Sequence, residues 1–322
     1  MILPHRRPCI ESQLTVKGDL NELNNVLNDL LKYNKELHIL PSGNASIFIA
    51  SKIIYDLNNC CNILVPDMGG WKGFTTYPKM FNHNVLKLAT NNGIVDIDIL
   101  DETIKKNNIK ALFLTSLAGY LAVQPLNRIK KICSENEVIF IEDISGGVGG
   151  NCGYGDIIVC STGAPKIINC EYGGFIGISE DIKQQLKENN KLENLKHLLK
   201  TYKVPNIYGS IKEEALRARE TYKKCAVFSN IIKEEFENSY YKDNEGVCVF
   251  IEHNNPNEII KKTNNIIKLD NGKSILTKCP IYERILKKGV VVELKKIDTN
   301  YINKNNIDEI ISIIKNLLDT AN

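Results

Sequence analysis

Asp143 and Lys166 each follow an apolar, strand-like run. Val138-Ile139-Phe140-Ile141-Glu142 leads into the aspartate, and Asp156-Ile157-Ile158-Val159-Cys160 leads through Ser161-Thr162-Gly163-Ala164-Pro165 to the lysine. A carboxylate at such a point can hold a protonated ring nitrogen, and a lysine amine can condense with an aldehyde. These are the two functions that an electron-sink cofactor of the pyridoxal 5′-phosphate kind requires. A lysine between Pro165 and the apolar pair Ile167-Ile168 is poorly placed to be a solvated surface residue.

Three further features converge on a phosphorylated aromatic group. Ser42-Gly43-Asn44-Ala45-Ser46 falls between a strand-like and a helix-like segment. Free amides and the helix dipole at such a start bind phosphate, and small residues at Gly43, Asn44 and Ala45 let it approach; Ser42 is equally a normal N-cap. Ser161, five positions before Lys166, could hold the same phosphate from the other side. Trp71, the single tryptophan, follows Gly69-Gly70 after a strand-like run and could stack on a cofactor ring or stand as a surface aromatic.

The elements that must position these residues alternate along the chain. A helical pattern over 20–31 is followed by a short strand over 36–41 and a helix beginning at Ser42. Strands over 63–65, 85–88, 111–115 and 138–142 then alternate with helices over 72–80, 98–106 and 126–135, the pattern of a mostly parallel sheet with crossover helices. Strands over 156–160 and 174–178 leave no room for a helix between them, so a hairpin or antiparallel edge is expected and the sheet is mixed. Lys- and Glu-rich helical stretches over 180–202 and 211–237 lead to a small α/β domain. The expected organisation is an N-terminal helical segment 1–35, a large cofactor-binding domain 36–210, and a connecting helix with a small C-terminal domain 211–322.

With 322 residues, 43% of them hydrophobic, the chain can bury a sizeable core. A net charge of +3 from 41 basic and 38 acidic residues, without a dominant basic stripe, does not call for a nucleic-acid partner. No apolar stretch approaches the ~18 residues of a membrane span and residues 1–13 lack a signal-peptide core, so a cytoplasmic protein is expected. The ten cysteines contain no C-x-x-C pair and read as reduced thiols. The five histidines, His5, His38, His83, His197 and His253, have no metal-ligand spacing, and no metal site is expected.

The run Glu142-Asp143-Ile144-Ser145-Gly146-Gly147, then Gly155-Asp156, then Ser161 to Lys166 and Glu171-Tyr172-Gly173-Gly174-Phe175, resembles the core of the fold type I pyridoxal phosphate enzymes. Within them it is most similar to the DegT/StrS sugar aminotransferase family, over about residues 40–220, including Gly119-Tyr120, Gln124-Pro125 and Ala215-Leu216-Arg217-Ala218-Arg219. The resemblance implies an α/β fold with a mixed, mostly parallel sheet and a small C-terminal domain. It implies Lys166 as the Schiff-base lysine and proton shuttle, and Asp143 as the partner of the ring nitrogen. Gly43, Asn44 and Ser161 would bind phosphate, Trp71 would cover one ring face and Ser145 would lie against the other. It further implies a homodimer with a shared site, in which Asn206 and Tyr208, with Ser210, could supply a phosphate contact to the partner. A plain turn explains Asn206 and Tyr208 equally well.

The chain departs from the family in two ways. Where the sugar aminotransferases carry Gln or His three residues after the aspartate, near the cofactor's phenolic oxygen, Gly146 stands here, and the small domain is short. An aminotransferase taking a small amino donor and a keto acceptor, possible nucleotide sugars included, is the leading expectation. Sulfur transfer or lyase chemistry is the alternative, with Cys152, Cys160 and Cys170 around the site and Cys170 as sulfur acceptor; small core cysteines are the competing reading. A cofactor-binding homologue without turnover is a third. A dinucleotide site fails, because the glycines 146–150 lack the G-x-G-x-x-G spacing and lead into a strand. A substrate carboxylate could be met by Arg284, Arg6 or Arg7, although surface positions are expected for all three.

Overall fold

The computed structural model describes residues 1–9 and 18–319. Seven strands make the central sheet: β1 (Glu36–Leu40), β2 (Asn62–Pro66), β3 (Asn84–Leu88), β4 (Ile109–Thr115), β5 (Ile139–Asp143), β6 (Ile157–Ser161) and β7 (Gly174–Ile178), in the order β1-β7-β6-β5-β4-β2-β3. Near-continuous apolar runs such as Ala111-Leu112-Phe113-Leu114 are buried on both faces, as parallel strands between helical layers must be. β7 alone runs antiparallel, to β6 on one side and β1 on the other. The expected antiparallel pair is therefore present but does not form an edge, because Glu36–Leu40 closes that side.

Helices connect the strands: α1 (Leu20–Asn28), α2 (Gly43–Asn58), α3 (Gly73–Met80), α4 (Ile97–Asn107), α5 (Leu126–Glu135), α6 (Glu180–Glu188), α7 (Leu192–Thr201) and α8 (Tyr208–Glu235). In α5 the buried residues Leu126, Ile129, Ile132 and Cys133 recur at helical spacing and give it one core-facing stripe. The stretch expected as one helix over 180–202 is two helices, since the last turn of α6 ends at Asn189 and Asn190 takes a left-handed conformation. α8 begins before Ile211 and runs unbroken, packing against α1.

The C-terminal part folds as a three-stranded antiparallel sheet, β8 (Val249–Glu252), β9 (Leu276–Cys279) and β10 (Gly289–Val292), in the order β8-β10-β9, covered by α9 (Pro256–Ile266) and α10 (Lys304–Asp319). The N-terminus joins this part, since Ile2-Leu3 pairs in parallel with Lys268-Leu269. The segment expected to be helical over 1–35 thus contains a strand as well as α1, and its residues 10–17 lie outside the described residues. No helix among the described residues is long and apolar enough to cross a membrane.

Candidate active site

The parallel strands β1, β2, β4, β5 and β6 end at one sheet edge, where β7 begins, and crevices at such edges are where α/β sheets receive ligands. A cavity of about 420 Å³ lies there, lined by Gly43, Asn44, Trp71, Asp143, Ser145, Ser161 and Lys166. Seven of the ten residues picked from the sequence are thus brought together.

At the end of β5 the side chains of consecutive residues point to opposite faces of the sheet. Glu142 faces away from the cavity and is completely buried; it accepts from Ser116 Oγ at 2.7 Å and from the amides of Gly153, Tyr154 and Gly155 at 3.0, 2.6 and 2.8 Å. Burial pushes its carboxyl up, and these four donors act against that. Asp143 faces the cavity and accepts from the Ser145 amide at 2.9 Å. Burial pushes its carboxyl up as well, opposed by Ser145 and by the charge of Lys166. Ser145 Oγ in turn accepts from the Ser161 amide at 2.8 Å, tying the end of β5 to that of β6.

Lys166 follows β6 in a segment whose backbone is clamped from two distant parts of the chain. Arg6 donates to the carbonyls of Lys166 and Ile167 at 2.8 and 2.6 Å and pairs with Glu214 at 2.7 Å. Glu214, on α8, also accepts from the amides of Cys9 and Asn169 at 2.7 and 3.0 Å. Arg6 is therefore structural and only 8% exposed, contrary to the surface position expected, whereas Arg7 keeps 68% of its side chain exposed. The Lys166 amine lies 2.5 Å from the Tyr120 hydroxyl. Burial pushes the amine down, but Tyr120 and then Asp143 outweigh it, so it stands above its ordinary value, with Arg284 pulling the other way.

Ser42 caps α2 by accepting from the Ala45 amide at 3.2 Å, which leaves the amides of Gly43 and Asn44 without an acceptor among the described residues. Ala45 is thereby part of the cap and does not line the cavity. Trp71 donates its indole N–H to Asn44 Oδ1 at 2.9 Å, and its ring lies 5.9 Å from that of Tyr282. Asn206 and Tyr208 sit at the start of α8 and do not line this cavity. Ile207 between them packs against Gly173, which bridges to Ser42.

The C-terminal part contributes residues that sequence spacing did not single out as a group. Arg284 and Lys295 both pair with the buried carboxylate of Glu293. Burial pushes the Glu293 carboxyl up, but Lys295 and Arg284 hold it well below the usual range. Arg284, expected at the surface, is 8% exposed, and its Nε is buried with no partner among the described residues. Only their convergence on Tyr120 in three dimensions reveals them.

Cys160 touches the cavity, while Cys152 and Cys170 do not. Burial pushes all three thiols up, in Cys170 joined by the charge of Glu214, which works against the thiolate form that sulfur transfer uses. Among the described residues no cluster of His, Cys, Asp or Glu could hold a metal ion.

The architecture is that of the fold type I aminotransferases. An alanine–glyoxylate aminotransferase from Nostoc superposes with a TM-score of 0.72 at 14% identity, over 93% of this chain and 86% of that one. A Streptococcus pneumoniae protein described as a sugar aminotransferase, in its PLP form, gives 0.73 at 13% identity over 99% of both chains. A ureidoglycine–glyoxylate aminotransferase from Bacillus subtilis gives 0.70 at 14% identity over 97% of this chain and 87% of that one. Residues 219–315 match the family model described as the MJ1341 family C-terminal domain. No curated protein sequence matches the chain significantly.

Proposed function

We propose that this protein is a pyridoxal 5′-phosphate-dependent aminotransferase that moves an amino group from a small donor to a keto compound. The convergence of Lys166 and Asp143 on one cavity, with the unpaired amides of Gly43 and Asn44 at one end, carries the reading. The residues fit the cofactor: two free amides and Ser161 for its phosphate, Asp143 for its ring nitrogen, Trp71 for a ring face and a buried amine for its aldehyde. When bound, the cofactor would supply an electron sink for the electron pair left as the substrate's amino-bearing carbon gives up its proton.

Asp143, fixed by the Ser145 amide, presents its carboxyl to the cavity as the partner for a protonated ring nitrogen. Lys166 is the group that can accept and return a proton at its Nζ, and the backbone clamp of Arg6 and Glu214 keeps that atom in place. Ser145 orients Ser161 toward the phosphate end. Nucleotide-linked keto sugars are the acceptor class that the DegT/StrS resemblance favours. A homodimer in the cytoplasm, with Asn206 and Tyr208 reaching the partner's phosphate site, completes the proposal.

Reconstitution with pyridoxal 5′-phosphate tests it. A coloured protein that borohydride bleaches, with the pyridoxyl label on Lys166, supports the assignment, and conversion to pyridoxamine phosphate by glutamate or aspartate supports transamination. A protein that stays colourless overturns the proposal, and sulfide released from cysteine would replace it with sulfur chemistry.

A further inference from the structure

Tyr120 is held in place from every side. It follows β4 in a tight hairpin, Leu117-Ala118 pairing with Ala122-Val123, in which Gly119 and Tyr120 have φ of +56° and +69°. For a bulky residue the left-handed region is strained, and such conformations persist where the surroundings enforce them. Here the Tyr120 carbonyl accepts from the amides of Val247 and Cys248 at 3.0 and 3.2 Å, and the following carbonyl, of Leu121, accepts from the buried Lys233 at 3.4 Å.

The ring occupies a space that only a glycine at 146 leaves open. A Cβ on Gly146 would lie 2.4 Å from Tyr120 Cδ1 and 2.5 Å from Cε1. Around the ring stand three cations: Lys295 Nζ at 4.7 Å, Lys166 Nζ at 4.9 Å and the Arg284 guanidinium carbon at 5.4 Å from its centroid. The hydroxyl reaches the Lys166 amine. Gly146 is the position at which the resembled family places a side chain near the cofactor's phenolic oxygen, so the space of that missing side chain is filled by Tyr120.

We propose that Tyr120 touches the cofactor, donating its hydroxyl hydrogen bond to the ring oxygen beside Lys166 in place of the side chain absent at Gly146. The inference rests on the cofactor reading above. A hydrogen bond given to an ionised oxygen favours the ionised form, so Tyr120 lowers the pH at which the lysine-bound chromophore loses its proton. It also adds a contact that retains the cofactor. The strain in the hairpin is the expected companion of a side chain fixed for such a task.

The readout is the absorbance titration of the protein reconstituted with pyridoxal 5′-phosphate, together with the cofactor dissociation constant. Tyr120→Phe is expected to raise the titration midpoint by about one pH unit or more and weaken cofactor retention about tenfold. Tyr120→Gly, which suits the positive φ, should raise it likewise, and adding Gly146→His to that variant should bring the midpoint back toward the wild-type value. Midpoints unchanged in both single variants overturn the role of Tyr120 while leaving the cofactor reading intact. Failure of the wild-type protein to acquire a borohydride-trappable label on Lys166 overturns both.

Discussion

Gly43 and Ser161 meet so closely that a Cβ on Gly43 would lie 2.7 Å from the Ser161 Cβ and 3.1 Å from its backbone nitrogen. The first turn of α2 and the end of β6 thus form two walls of one narrow cup, at the end of the cavity assigned to phosphate. Gly43→Ala should push these walls apart, costing about 1–3 kcal/mol of stability and weakening cofactor binding at least tenfold. Parallel urea unfolding and absorbance titrations check both; unaltered cofactor affinity would remove Gly43 from the cup.

Removing one member of the Arg6–Glu214 pair leaves a buried charge alone. Arg6→Met is expected to destabilise the protein by about 3–5 kcal/mol. Arg6→Met combined with Glu214→Leu should cost much less than the sum of the two single changes, because neither charge is then stranded. Additive losses in urea unfolding would show that the two residues act separately.

Trp71 is held by Asn44 and stacked near Tyr282. Trp71→Ala should weaken cofactor affinity about tenfold, the loss of ~1.4 kcal/mol, with little effect on unfolding. Asn44→Ala, which frees the indole to rotate, should give a smaller loss in the same titration. A Trp71→Ala protein that binds the cofactor normally would place the indole outside the site.

Stability should fall in alkali. Cys133, Cys152, Cys160, Cys170, Cys225, Cys248 and Cys279 are all buried thiols. Burial pushes each up from the ordinary 9.0, Cys133 and Cys225 to about 12 and Cys279 to about 11. The unfolded chain therefore releases these protons first, and each thiol removes about 1.4 kcal/mol of stability per pH unit above ~9 until its folded value is reached. Lys35 and Lys233, lowered to about 8 by burial, and Lys296, also lowered by burial, act in the opposite sense up to 10.5, but they are three groups against seven. Urea midpoints at pH 8 and pH 10, under reducing conditions, should differ clearly, and equal midpoints would contradict the reading.

The alternation of apolar runs with helical periods made the parallel sheet legible, because strands buried on both faces must be apolar throughout. Asp143 and Lys166 were legible for the same reason: a charged residue ending such a run stands out. The meeting of Tyr120, Arg284, Glu293 and Lys295 was not, since it depends on a hairpin and on the docking of the C-terminal sheet, which no local spacing encodes. The position of β7 between β1 and β6 was hidden for a similar reason, as pairing with Glu36–Leu40 is a contact between segments far apart in the chain. Arg6 reads as a surface base in the sequence because the carboxylate that pairs with it, Glu214, lies 208 positions away.

The Arg6–Glu214 clamp also orders events during synthesis. The two residues are 208 positions apart, and the central sheet is complete at Ile178, before Glu214 has been added. A nascent chain therefore contains the residues of all seven strands while its lysine loop still lacks the carboxylate that anchors it. A chain that stops before α8 lacks that carboxylate and also the apolar face of Ile211, Ala215 and Ala218 that shares a core with Ile158, Cys160 and Phe175 of the sheet, so the lysine loop and one face of the sheet are completed together.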